Sequence, residues 1–261
     1  MLSRLSVSFR SLVLPKEHGS WSLAFEPVVL GLLVAPSRPG LVLTFAVIAG
    51  FFVRRPLKLA ITLPADDCRR RPASRWAALW SALVLLGMGG AIMLGSWTAL
   101  WPLLLCVPFG AIFLWFDLRN DMREAEAELA GSAVFALIPA TLATLAGWNA
   151  PTALGLAGLM LTRNLPTVLT MRTYLRRAKG LPTHSAAAFA SAGVAFMVVV
   201  ALGWSGIAPA TVGLLAAGMF VRSIIFLTSL RPIWPAKRIG MFEAAIGGLY
   251  LACLALAYHF D

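Results

Sequence analysis

The sequence predicts an all-α fold, a polytopic bundle of transmembrane helices. Of the 261 residues, 59% are hydrophobic and only 13% are charged, and the mean hydropathy is +0.82. One soluble core could not bury so many apolar side chains, so the excess must face lipid. Apolar runs of about 18 residues or more, the length that spans a bilayer, recur along the whole chain. No stretch alternates with the period of a barrel strand, so we expect helical spans.

We predict about nine spans, with about eight as the alternative, in one integral membrane domain covering residues 1–261. The predicted spans are 19–36, 40–62, 76–96, 98–116, 128–147, 151–174, 185–204, 206–230 and 239–259. Together they form a bundle over residues 19–259. Residues 1–18 lead into it, and their apolar side chains have the spacing of an interfacial helix: Leu2, Leu5, Phe9, Leu12 and Val13.

The basic residues lie almost entirely on one side of the predicted membrane. Of the 22 Lys and Arg, all except Arg38 fall near the N-terminus or near the connections after spans two, four, six and eight. The positive-inside rule then places the N-terminus in the cytoplasm and the C-terminus outside, in the inner, cytoplasmic membrane. The formal net charge of +11 lies in short loops and not in a soluble domain. This distribution favours membrane lipids as partners and argues against nucleic acid.

Three arginines lie deeper in the predicted spans than the loop charges do: Arg54, Arg163 and Arg222. A charge inside a spanning helix costs at least about 2.5 kcal/mol, so such residues usually face a cavity or a charged partner. Glu26 and Glu243, in the first and last spans, are the candidate partners. The alternative is purely structural, in that the ion pairs only lock the helices together.

Span six carries a polar face that suits an oxyanion. At about 100° per residue, four polar side chains share one side of this helix: Arg163, Thr167, Thr170 and Tyr174. Guanidinium groups bind phosphate or carboxylate through paired hydrogen bonds, and hydroxyl groups donate to the same oxygens. Hydrogen bonding between helices is the structural alternative for the threonines. We predict that the substrate- or anion-binding residues are Lys16, His18, Arg54, Arg55, Lys58, Arg163, Thr167, Arg172, Tyr174, Arg176 and Arg222.

Carboxylates are few, and four of them are the candidate catalytic residues: Glu26, Asp66, Asp67 and Glu243. Glu26 and Glu243 could orient the arginines or accept a proton. Asp66 and Asp67, in the loop after span two, are also the candidate ligands for Mg²⁺, the only cofactor that the sequence suggests. Salt bridges to the neighbouring loop arginines are the alternative for these two aspartates. No nucleophile elbow, P-loop or dinucleotide fingerprint is present.

Two short segments carry a resemblance to a known family. Residues 14–21, LPKEHGSW, together with residues 55–57, RPL, resemble the YwiC-like family of bacterial membrane proteins. The hallmark of that family is a PKEHG segment that opens the first span. We expect the similarity to extend over nearly the whole chain, although it implies no particular reaction.

The wider layout resembles the UbiA-type prenyltransferase superfamily, whose members transfer an isoprenoid chain from its diphosphate to an acceptor. That resemblance implies Mg²⁺-diphosphate held by two motifs, NDxxDxxxD after span two and DxxxD after span six. The chain departs from both, because the first place holds only Asp66 and Asp67 and residues 172–177, in the second, read RTYLRR. A shared fold would therefore require diphosphate binding by arginine.

Three functions are compatible with these observations. The first is a membrane transferase acting on an anionic or isoprenoid diphosphate lipid in a cytoplasm-facing, arginine-rich cavity. The second is a non-enzymatic membrane component or assembly factor whose buried charges lock the bundle. The third is an organic-anion transporter, which would need polar residues in the outer halves of the spans, where few occur. The residues alone do not decide whether the protein is an enzyme.

Overall fold

The computed structural model describes residues 12–13, 20–119, 121–122, 124–183 and 185–260. Within these residues the regular structure is helical throughout, which confirms the predicted all-α class. The helices are α1 (Ser20–Val34), α2 (Arg38–Thr62), α3 (Arg70–Leu94), α4 (Leu103–Arg119), α5 (Ala125–Ala136), α6 (Ile138–Leu145), α7 (Ala150–Ala178), α8 (Ala186–Trp204), α9 (Val212–Leu227) and α10 (Ala236–Phe260). A 3₁₀ turn at Trp97–Leu100 precedes α4.

Six stretches among the described residues are long and apolar enough to cross a membrane: α2, α3, Trp97–Arg119, Ala125–Leu145, α8 and α10. The helices α1 and α9 are apolar but shorter. At 29 residues, α7 is about 43 Å long, but its arginines lower its mean hydropathy. Each predicted span overlaps one of these helical stretches, so the chain crosses the membrane several times.

Local signals set both ends of α7. The side chain of Asn149 accepts a hydrogen bond from the backbone N–H of Thr152 at 3.0 Å and so caps the first turn. At the other end Gly180 has a φ of +67°, a left-handed conformation that glycine adopts without strain. The N–H of Leu181 then donates to the carbonyl of Arg176 at 3.0 Å, which closes the last turn.

The chain forms two compact units, and the first consists of Met1–Trp21 and Arg38–Trp97. It contains α2 and α3. Leu12 and Val13 are 2% and 0% exposed and pack with Ala73 against half-buried aromatic side chains. Phe52 and Trp80 stack among these with ring centroids 5.1 Å apart. Leu12 and Val13 are the described part of the predicted interfacial segment, and its other residues lie outside the described ranges.

The second unit consists of Ser22–Ser37 and Thr98–Asp261 and contains most of α1 together with α4 to α10. Its apolar core is formed by α1 and α5 to α10, with fully buried Leu30, Leu156, Val212 and Leu254. The helix α7 also brings polar side chains into this interior. Five of them are less than a tenth exposed: Arg163, Asn164, Thr167, Thr170 and Thr173. This polar strip positions the candidate site.

Candidate functional site

A first buried ion pair joins α7 to α1. The Nη2 atom of Arg163 lies 2.9 Å from Oε2 of Glu26, and the two side chains are 2% and 9% exposed. The Nη1 atom of Arg163 also donates to Oδ1 of Asn164 at 3.4 Å, and its guanidinium lies 5.8 Å from the ring centroid of Tyr250 on α10. Because an unpaired buried charge is very costly, each partner requires the other. The pair therefore holds α1 to α7.

A second ion pair joins α9 to α10. Arg222 donates to both carboxylate oxygens of Glu243, from Nε to Oε1 at 3.1 Å and from Nη2 to Oε2. The third guanidinium nitrogen, Nη1, lies 3.5 Å from Oγ1 of Thr167 on α7. The hydroxyl of Thr167 in turn donates to the carbonyl of Arg163 at 2.7 Å. Thr167 thus connects the two ion pairs across one turn of α7.

The helix α10 meets the same strip of α7 at two further points. The phenol of Tyr250 donates to the carbonyl of Leu159 at 3.3 Å. One turn away, a Cβ placed on Gly247 would collide with Glu26 and Arg163, and Cδ of Glu26 would lie only 2.7 Å from it. Only a glycine allows α10 to approach the first ion pair this closely.

These contacts follow a regular register. Residue numbers rise along α7 through 159, 163 and 167 while the facing residues of α10 fall through 250, 247 and 243. Positions three or four apart share one face of a helix, so the two helices run antiparallel along this strip. We call the set the polar ladder: Leu159, Arg163 and Thr167 of α7, Glu26 of α1, Arg222 of α9, and Glu243, Gly247 and Tyr250 of α10.

A small cavity borders the polar ladder. Its volume of 20 Å³ is enough for about one water molecule. Polar side chains line one part of it: Thr162, Arg163, Thr167, Arg222, Ser223 and Tyr250. Apolar side chains of α8 and α9 form much of the remaining wall, including Phe196 and Phe220, whose rings stack with centroids 5.7 Å apart. A cationic part and an apolar wall therefore share one cavity.

Several buried polar atoms of α7 have no hydrogen-bond partner among the described residues. They include Nε of Arg163, Nδ2 of Asn164 and Oγ1 of Thr170. A buried donor without an acceptor costs about 1–3 kcal/mol, so such atoms usually meet water or a ligand. Arg163 itself lines the cavity. Its unsatisfied nitrogen favours an occupant that accepts hydrogen bonds.

Other predicted anion-binding residues of α7 contact different groups. The guanidinium nitrogens of Arg172 lie 3.9 Å from Glu124 and 3.5 Å from Glu128. Nε and Nη2 of Arg176 each donate to the carbonyl of Pro182 at 3.3 Å. These two arginines hold the end of α7 to neighbouring segments in this structure.

Tyr174, also predicted to bind the anion, lies 2% exposed in an aromatic cluster with Phe226 and Trp234. Its phenol donates to the carbonyl of Pro232 and accepts a hydrogen bond from the backbone N–H of Trp234 at 3.1 Å. Both partners belong to the connection between α9 and α10, which Tyr174 therefore orders.

The remaining predicted residues lie in the first unit or outside the described ranges. Arg54, Arg55 and Lys58 are half-buried on α2. Lys16 and His18 belong to residues that the structure does not describe.

The aspartate loop after α2 does not fit Mg²⁺. Both carboxylate oxygens of Asp67 accept hydrogen bonds from the side chain of Arg69, at 3.0 and 2.7 Å. This side-chain hydrogen bond, with a second from the backbone N–H of Arg69, lowers the pKa of Asp67 to about 2. Among the described residues no three His, Cys, Asp or Glu side chains cluster as metal ligands. We therefore derive no step through a metal ion at Asp66 and Asp67.

Sequence reasoning missed several residues of the site, namely Asn164, Ser223, Gly247 and Tyr250. A signal for two of them was present, because Gly247 and Tyr250 follow Glu243 at helical spacing and so share its face. Asn164 and Ser223 directly follow the two buried arginines in the chain.

The fold and the buried ion pairs define a class, the multi-pass α-helical integral membrane protein with a charged interior. The model of the YwiC-like protein family matches residues 14–143, and over that range the chain belongs to this family. This confirms the predicted family over a shorter range than expected, and Glu26 alone of the polar ladder lies inside it. No curated protein and no solved structure matches significantly, so the UbiA-type layout stays a prediction.

Proposed function

We propose that the protein binds the anionic headgroup of a membrane amphiphile, a phosphate or a carboxylate, in the cavity beside the polar ladder. One observation supports this most directly: the buried guanidinium groups of Arg163 and Arg222 line a cavity whose remaining wall is largely apolar. Guanidinium binds both kinds of oxyanion through paired hydrogen bonds. An apolar wall with a few convergent polar groups is typical of sites for amphiphilic ligands.

The cavity is too small for an amphiphile in this structure, since 20 Å³ accommodates about one water molecule and no hydrocarbon chain. Binding an amphiphile therefore requires α8 and α9 to separate. The stacked rings of Phe196 and Phe220 lie in the cavity wall contributed by these helices. We propose that the rings part when a ligand enters, which shifts the protein from this closed state to an open one.

As the reaction class we propose group transfer from the anionic amphiphile at the cytoplasmic side of the membrane. The bond from the lipid carbon to the leaving oxygen would break as the acceptor bonds to that carbon. Arg163 and Arg222 would stabilise the negative charge on the leaving oxygen. Glu26 or Glu243 would take the proton that the acceptor releases. The two arginine side chains would thus supply the positive charge next to the leaving group.

A second candidate function is a non-enzymatic membrane component. The observation that favours it is that each buried arginine of the polar ladder is already neutralised by a carboxylate. Charges paired in this way hold helices in register without any ligand. The two candidates make different predictions about what the purified protein carries.

Native mass spectrometry of the detergent-purified protein distinguishes them. Ala195 lines the cavity and is 9% exposed, so Ala195→Leu fills the cavity without removing any ion pair. Val194 on the same helix is 62% exposed, and Val194→Leu is the matched control. We expect a defined anionic lipid on the wild type and on the control, and its loss from Ala195→Leu at a melting temperature within a few degrees. A folded Ala195→Leu protein that carries the same lipids as the wild type would refute the cavity as the binding site.

A further inference from the structure

The two ion pairs of the polar ladder differ in what surrounds them. Both arginines line the cavity, but α10 packs so closely against the Glu26–Arg163 pair that a Cβ on Gly247 would collide with both partners. In the second pair, Arg222 lines the cavity whereas Glu243 does not. The guanidinium of Arg222 therefore meets its carboxylate on one edge and the cavity elsewhere.

The hydrogen bonds of Arg222 show which part of it a ligand would use. The carboxylate of Glu243 accepts hydrogen bonds from both Nε and Nη2. The remaining nitrogen, Nη1, is 3.5 Å from Thr167, at the limit of hydrogen bonding. The Thr167 hydroxyl also donates to the carbonyl of Arg163. Nη1 is therefore a donor next to the cavity that is held only weakly in the closed state.

The charges of the polar ladder sum to zero, since Arg163 and Arg222 balance Glu26 and Glu243. An oxyanion that enters the cavity adds a negative charge to this neutral set. It must then compete with a resident carboxylate for a guanidinium. Both arginines line the cavity, but Glu26 is packed tightly against Gly247, whereas Glu243 pairs with the arginine whose third nitrogen has only a 3.5 Å contact.

We propose that Glu243 is a built-in competitor of the ligand at the anion site, and that an incoming headgroup gains Arg222 at the expense of Glu243. This inference rests on the proposed function. Glu243 thereby sets the affinity for the anionic ligand and neutralises Arg222 when the cavity is empty. The Glu26–Arg163 pair keeps the bundle together in both states. Glu243 is in this sense a specificity-determining residue, since it admits only ligands that bind Arg222 more strongly than a tethered carboxylate does.

Neutralising Glu243 tests the inference. Glu243→Gln keeps the shape and one hydrogen-bond acceptor but removes the competing charge. With dodecyl phosphate as the probe, we expect the affinity to rise at least about tenfold. Repulsion between the bound phosphate and a carboxylate about 10 Å away lowers the affinity by roughly this factor at an effective dielectric constant of about 20. Glu126→Gln makes the same charge change on an exposed carboxylate of α5 and should leave the affinity unchanged.

The readout is the melting temperature of the full-length protein in a neutral detergent as a function of probe concentration. Glu243→Gln should melt lower than the wild type without probe, because Arg222 loses its counter-ion, and should gain more from the probe through binding linkage. Glu243→Asp keeps the charge on a shorter side chain, so it should fold and bind a few-fold more tightly. This second variant keeps the test decisive if the glutamine variant fails to fold.

Three results would overturn three different claims. If dodecyl phosphate stabilises neither the wild type nor any variant, the proposed anion site is wrong. If it stabilises the wild type and all Glu243 variants equally, the site stands and the competitor role of Glu243 is wrong. Inorganic phosphate serves as the tail-free probe, and stabilisation equal to that by dodecyl phosphate would overturn an amphiphile as the ligand.

Discussion

Replacing Gly247 by alanine is predicted to break the buried Glu26–Arg163 pair. The added methyl group would collide with Oε1 of Glu26 and Nη2 of Arg163 and would lie 2.7 Å from Cδ of Glu26. Both contacted groups end flexible side chains, but both side chains are less than a tenth exposed and are paired with each other. They can make room only by giving up the ion pair.

Two opposing effects determine the size of this change. Alanine is about 1 kcal/mol more favourable than glycine inside a helix. Disrupting a buried ion pair costs about 3–5 kcal/mol. The net expectation is a destabilisation of about 2–4 kcal/mol, which for a chain of this size lowers the melting temperature by about 5–15 °C.

Gly248 provides the matched control. It is the next residue of the same helix, it is exposed, and an added Cβ would meet nothing within 4 Å. Gly248→Ala therefore gains the helix propensity without the clash and should melt at or slightly above the wild type. The fluorescence of the nine tryptophans reports unfolding in detergent for both variants. If Gly247→Ala melts as high as Gly248→Ala, the close approach of α10 to the ion pair is not real.

The Glu26–Arg163 pair and the Asp67–Arg69 pair give two more tests. Arg163→Met alone should lower the free energy of unfolding by about 3–5 kcal/mol, whereas adding Glu26→Leu removes both buried charges and should restore most of the loss. Melting temperatures of the single and double variants check this expectation. Losses that simply add in the double variant would contradict it. Arg69 lowers the pKa of Asp67 from 3.8 to about 2. The stabilisation from this pair is therefore fully present above pH 3.8 and is lost as the pH falls through about 2. A carboxyl titration of Asp67 by NMR at its ordinary pKa would contradict the pairing.

Hydropathy predicted the helical stretches well but misplaced the starts of two helices by six residues each. Span three was predicted from residue 76, yet α3 begins at Arg70, because the basic first turns are helical although they are too polar to count as a span. Span eight was predicted from residue 206, yet α9 begins at Val212. Gly206 adopts a left-handed φ of +69° and Pro209 follows, so the chain turns where its composition is still apolar.

The charged residues of the site were easier to predict from the sequence than the way in which they pair. The cost of a charge in a spanning helix singled out Arg163 and Arg222, and the scarcity of acids left Glu26 and Glu243 as counter-ions. Which arginine takes which carboxylate depends on the order of helices around the bundle, and periodicity specifies only the face that each helix presents. Helical spacing places Gly247 on the face of Glu243, but its role could not be predicted for the same reason, since that role appears only when α10 lies against Glu26.

The neutrality of the polar ladder bears on the choice between a binding site and a structural lock. Without a ligand, each arginine has a carboxylate partner and the ladder can only hold helices together. If an anion displaces Glu243, the same arginines become a binding site while the Glu26–Arg163 pair continues to hold α1 and α7. We therefore propose that the structural lock and the binding site are two states of the polar ladder. The Glu243→Gln and Ala195→Leu variants separate them, because the first weakens only the lock on Arg222 and the second fills only the cavity.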